Sequence, residues 1–155
     1  MRRFACFSCA AILVGCGKAE VQPARDTTAV APAPPETRAA ISLAGVAGKW
    51  KLRTMDEAGG NVVESELTAT ADTSGWTLTR PDRKTVPVRV VAVGGDSIIT
   101  EAGPYESALR KGVQVRARMV LRLQEGKLVG TTEARYAMSG GDSVAHRSTE
   151  GTRAP

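Results

Sequence analysis

From Val113 to Leu123 apolar and polar residues take turns along the chain. Val113, Val115, Ala117, Met119, Leu121 and Leu123 fall on one side of an extended backbone. Gln114, Arg116, Arg118, Val120 and Arg122 fall on the other. A period of two places alternate residues on opposite faces of a strand, whereas a helix repeats every 3.6 residues. One apolar face and one charged face describe an antiparallel strand that is buried on one side only. Glu125-Gly126 then reverses the chain. Lys127 to Tyr136 brings Leu128, Gly130, Thr132, Ala134 and Tyr136 to a common face, so the two segments read as a hairpin.

The same grammar runs from residue 43 to the end. Gly48 to Met55 forms a strand with Trp50 and Leu52 inward, and Ala58-Gly59-Gly60-Asn61 turns it into Val62 to Ala71. Asp72-Thr73-Ser74-Gly75 leads to Trp76 to Arg80, and Pro81-Asp82-Arg83-Lys84 leads to Val86 to Val93. Gly94-Gly95-Asp96 leads to Ser97 to Glu101, and Ser139-Gly140-Gly141-Asp142 precedes a last strand, Ser143 to Thr152. Residues 103–112 break the pattern, and Tyr105 to Lys111 is read as one or two helical turns. The reading is all-β: an antiparallel up-and-down meander of about eight strands, joined in sequence order by short turns. Such a meander leaves two open edges unless it closes, so a closed or partly closed barrel is expected. Eight strands enclose a space that side chains fill or that holds one small ligand.

Gly48-Lys49-Trp50 at the start of the first strand resembles the Gly-x-Trp opening of lipocalin-type barrels. The resemblance implies that Trp50, following Gly48, closes the barrel floor against an arginine from a late strand. Arg147 and Arg153 are the candidates, with Arg147 preferred. The Thr-Asp-Tyr motif and the disulfide usual in that family are absent, so the resemblance carries an architecture and not a ligand.

The first 42 residues are of another kind. Met1-Arg2-Arg3 is basic, Phe4 to Val14 is largely apolar and too short to span a bilayer, and Leu13-Val14-Gly15-Cys16 follows. These four residues resemble the lipobox of bacterial lipoproteins. The resemblance implies cleavage of residues 1–15, lipidation of Cys16, and export to the cell envelope. At ~0.8 kcal/mol per buried methylene, two or three acyl chains give lasting attachment to a membrane. Gly17, with no aspartate after the cysteine, implies an outer-membrane address facing the periplasm in a diderm host. Rival readings are a secretory signal cut elsewhere and an uncleaved anchor. Residues 16–42 are then the lipidated cysteine and an Ala/Pro-rich linker, with Pro23, Pro32, Pro34 and Pro35 and no apolar periodicity. Such a composition cannot bury a core and reads as a disordered tether, reaching ~30 Å as a random coil. A proline-rich ligand for a partner is the alternative.

The three cysteines, Cys6, Cys9 and Cys16, all lie in the first 16 residues; cleavage discards two and leaves Cys16 for the lipid, so the mature domain is expected to lack thiols and disulfides. Cys6 and Cys9 have no second pair of ligands to make a metal site, and His146 is the sole histidine. No phosphate-binding loop, dinucleotide fingerprint or nucleophile–base pair is recognisable, so no enzyme and no cofactor is expected. The net charge of +5 falls by two when Arg2 and Arg3 leave with the leader, and nothing concentrates the rest into a nucleic-acid face.

Two functions remain open. In one, Trp76, Met119 and Tyr136 line a barrel cavity for a small apolar or amphipathic ligand. In the other, those residues are core filler, and the outer face of a packed barrel meets an envelope protein, with Val91, Val93 and Val120 as the apolar patch. Arg116, Arg118, Arg122, Arg135 and Arg89 read first as a solvated face laced with cross-strand pairs, and second as a site for an anion.

Overall fold

A computed structural model describes residues 40–155. The segment expected to be a cleaved leader, Cys16 and the expected linker up to residue 39 lie outside the described residues. The chain runs α1 (Leu43–Val46), β1 (Gly48–Met55), β2 (Val63–Ala69), β3 (Thr77–Thr79), β4 (Thr85–Gly94), β5 (Ser97–Glu106), β6 (Gln114–Gln124), β7 (Lys127–Tyr136) and β8 (Ser143–Arg153). Each strand pairs antiparallel with the next, and β8 returns to β1, from Trp50↔Arg153 to Met55↔Ser148. The meander is therefore a closed eight-stranded barrel, and no strand of it is left with an unpaired edge.

Alternation sets which residues go inside. On β6, Val115, Ala117, Met119 and Leu121 are buried, and Arg116 and Arg118 are exposed. Leu123 shares the inward register but lies two residues beyond Leu121, at the barrel's rim, and is exposed. On β8 the inward residues are Ala145, Arg147, Thr149 and Gly151, which is why that strand carries no hydrophobic period. Small residues are needed there: a Cβ on Gly151 would meet Leu52 Cδ2 at 2.6 Å.

The stretch Tyr105 to Lys111, read as helical, is not a helix: Tyr105 and Glu106 extend β5, and residues 107–111 turn. β5 continues to Glu106 across a register shift between Ala102 and Tyr105. Gly103 supplies the positive φ of 105° that the bulge uses, and a Cβ there would meet Val115 O at 2.7 Å. The connection to β6 is a turn in which Ser107 Oγ accepts from the amides of Leu109 and Arg110.

One end of the barrel is closed by the segment that enters it. Ile41 N donates to Gly95 O at 2.9 Å, and Ser42 caps α1 by accepting from Gly45 N at 3.1 Å. A helical turn leaves its last carbonyls without partners. Trp50 Nε1 takes one, Val46 O, at 2.7 Å. Arg153 takes two, Gly45 O at 2.7 Å and Ala47 O at 2.9 Å, while its guanidinium lies 4.4 Å from the Trp50 ring. Gly48 leaves room for that guanidinium, since a Cβ would come within 2.9 Å of Arg153 Nη1.

The arginine of the barrel floor is thus Arg153, and the choice of Arg147 is corrected. Both share one register face of β8, but the strand pairs Arg153 with Trp50. Arg147 sits six residues along the strand, about 20 Å toward the other end.

Candidate functional site

The end opposite the Trp50 floor holds a partly open cavity of about 80 Å³. Its wall is mainly apolar and includes Leu52, Leu78, Val115, Met119, Ala134 and both tyrosines of the chain, Tyr105 and Tyr136. Pro81 from the β3–β4 turn and Ser107 to Leu109 from the β5–β6 turn rim it. Met119 and Tyr136 therefore meet at one cavity, as their shared register with Leu121 and Ala134 implies.

Trp76 does not join them, which corrects the three-residue wall. It precedes β3 at the closed end, buried, with Nε1 donating to Asp72 O at 2.8 Å and its carbonyl accepting from Val88 N at 2.9 Å. Its job there is to seal the β2–β3 turn onto the core. The carboxylate of Asp72 organises that turn, accepting from Ser74 N at 2.7 Å and Ser74 Oγ at 2.8 Å. These bonds hold it below the ordinary carboxylate range.

Two arginines stand among the apolar lining, and neither was singled out from sequence as a cavity group. Arg80 follows Leu78 at a spacing of two, on the inward face, and its side chain is only 8% exposed. Its guanidinium donates to Glu106 O, lies 3.3 Å from Asp82 Oδ2, and sits 4.9 Å from the Tyr105 ring. Arg147 precedes Thr149 at the same spacing and donates from Nη1 to Asn61 O at 3.3 Å. In both residues Nε is buried and has no hydrogen-bond partner. Hydroxyls continue the polar strip, with Thr132 and Thr149 2.7 Å apart and Thr149 and Thr54 3.1 Å apart. No aspartate or glutamate lines the cavity.

Burial pushes the Tyr105 phenol above its ordinary value of 10, and the nearby Arg80 charge only partly opposes this. A raised pKa means that the folded state favours the neutral phenol. That contribution is complete below pH 10 and is lost as pH rises through the raised value. In an alkaline titration followed by phenolate absorbance, Tyr105 should ionise above pH 10, together with loss of the fold. Tyr105→Phe should remove that step, and a step lost in Tyr105→Phe that lies at or below pH 10 would contradict the burial.

Outside the barrel, Arg89, Glu101, Arg118, Glu133 and His146 stand abreast across β4 to β8. Glu101 pairs with Arg89 and, at 3.4 Å, with Arg118; Glu133 pairs with Arg135 at 2.6 Å. Alternating charges of this kind make a solvated face. Arg116 stands opposite Arg135 just above the row. Val91 and Val93 are exposed at the end of β4, while Val120 lies abreast of Ile99 and Ala92 in a different outer row. Among the described residues no group of three or more His, Cys, Asp or Glu is arranged to hold a metal ion. Compared with known proteins, the chain matches no family model, no curated protein and no solved structure, so the arrangement of these side chains carries the functional reading.

Proposed function

We propose that the chain is a non-enzymatic lipoprotein of the bacterial cell envelope whose barrel binds a small apolar or amphipathic ligand. The leader is removed, Cys16 carries the lipid, and the linker after it tethers the barrel to the membrane, ending before Ile41, which is bonded to the barrel. In a diderm host the address is the outer membrane, facing the periplasm. The observation that carries the binding reading is the cavity at the end away from Trp50. A mainly apolar wall with a few convergent polar groups is the usual composition of a ligand site.

A second reading has one observation in its favour. The cavity, about 80 Å³, is well below the ~300–1,000 Å³ usual for drug-sized ligands. A packed barrel would act through its outer face, as a structural or protein-interaction module. Native mass spectrometry of protein purified from membranes in mild detergent separates the two. The expected species carries a diacylglyceryl group on Cys16 and a bound small molecule. An uncleaved, unmodified N-terminus would overturn the anchor, and a bare lipidated chain or a co-purified protein would favour the packed barrel.

A further inference from the structure

From buried Arg80 and half-buried Arg147, whose Nε atoms are both buried and unpartnered, we infer the ligand's chemical class: a small aliphatic carboxylate, seated with its oxygens toward Arg80 and Arg147. The inference rests on the reading of the cavity as a binding site and says what that site selects.

An arginine placed inside an apolar barrel loses hydration and needs partners for its donors. Arg80 and Arg147 meet that need only in part. Each uses Nη atoms on backbone carbonyls at the rim, Glu106 O and Asn61 O, and each leaves Nε buried and unpartnered. Arg80 has a carboxylate in Asp82, at 3.3 Å, and the charge of Arg147 is felt by Asp56 outside the cavity. Neither acid is part of the cavity wall. Guanidinium forks match carboxylates in geometry and charge.

The wall also sets the rest of the ligand. Leu52, Leu78, Val115, Met119 and Ala134 offer nothing to a second polar group, whereas a short alkyl chain fits among them. Two sources share this chemistry: a free short-chain acid that fills the cavity, and the head of a longer acyl chain that leaves through the opening beside Pro81 and Ser107.

Calorimetric titration of the full-length protein with hexanoate, hexan-1-ol and hexylamine tests the assignment. Charge-assisted hydrogen bonds are worth about 1.5–3 kcal/mol, so hexanoate should bind roughly 10–100-fold more tightly than the alcohol, and the amine more weakly than either. In Arg147→Met, hexanoate should fall to the level of the alcohol. The wild-type comparison stands even where that variant fails to fold. A series from butyrate to dodecanoate separates the sources. Each buried methylene adds about fourfold. A gain that stops near six carbons marks a free short acid, and a gain that continues marks a longer acyl chain. Equal affinity for hexanoate and hexan-1-ol would overturn the carboxylate assignment and leave an apolar site. No binding of any of the probes would overturn the binding site itself.

Discussion

Trp50→Ala is expected to cost about 3–5 kcal/mol of stability, the range for removing a large aromatic from a core. The indole is wholly buried, and three separate supports depend on it. It fills the floor of the barrel, its Nε1 satisfies Val46 O at 2.7 Å, and its ring carries the Arg153 guanidinium at 4.4 Å. Truncation leaves a cavity, an unpartnered carbonyl and an arginine without its platform. At about 4 °C per kcal/mol for a domain of this size, the melting temperature should fall by roughly 12–20 °C. Arg153→Met should cost less, about 1–3 kcal/mol, because it removes the bonds to Gly45 O and Ala47 O and keeps the packing. Arg147→Met leaves the floor intact and should not reproduce that loss. Thermal melts followed by far-ultraviolet circular dichroism decide the matter, and an unchanged midpoint for Trp50→Ala would show that the indole does not close the barrel.

Gly130→Ala should be comparably severe for a different reason. A Cβ on Gly130 would collide with Val120 O and lie 2.9 Å from Val120 C and 3.1 Å from Leu121 Cα. All three are backbone atoms of β6, the strand to which β7 is paired, so no side chain can rotate away. The two strands must part, which breaks the ladder at Gly130↔Leu121 and disturbs Thr131↔Val120 beside it. Overpacking of this kind costs about 1–3 kcal/mol and at times more, and here the upper end is expected, or loss of soluble protein. Two companions grade the effect. Gly151→Ala meets the tip of a side chain, Leu52 Cδ2 at 2.6 Å, and should be milder because that tip can shift. Gly140→Ala has nothing within 4 Å in the β7–β8 turn and should stay within about 0.5 kcal/mol. Equal melting temperatures for the three variants would contradict the close approach of β7 to β6.

The strands themselves were legible because alternation is a local property. β1, β6 and β7 begin and end as the residue pattern requires, within a residue or two, and turns rich in glycine and aspartate mark the reversals. Where the local signal changes meaning, the reading failed. Gly103 and Pro104 look like the end of a strand, yet β5 runs on to Glu106 because a bulge absorbs the irregular residues. Arg80 looked like the polar end of a strand before a turn. Its spacing of two from Leu78 already placed it inside, but the adjoining Pro81-Asp82 hid the inference.

The sequence by itself determined the class of fold, an antiparallel meander that closes, because side-chain period and turn residues act over a few neighbours. Tertiary structure decided which inward residue reaches which end. Arg147 and Arg153 share a face of β8, and only the register against β1 puts Arg153 under the tryptophan and Arg147 in the cavity. It also separated Trp76 from Met119 and Tyr136, which the sequence had grouped on polarity alone. Depth along a barrel follows from the stagger of all eight strands, and interior volume from what remains after every inward side chain is placed. Both are sums over residues far apart in the chain, so neither is written in any one stretch of it.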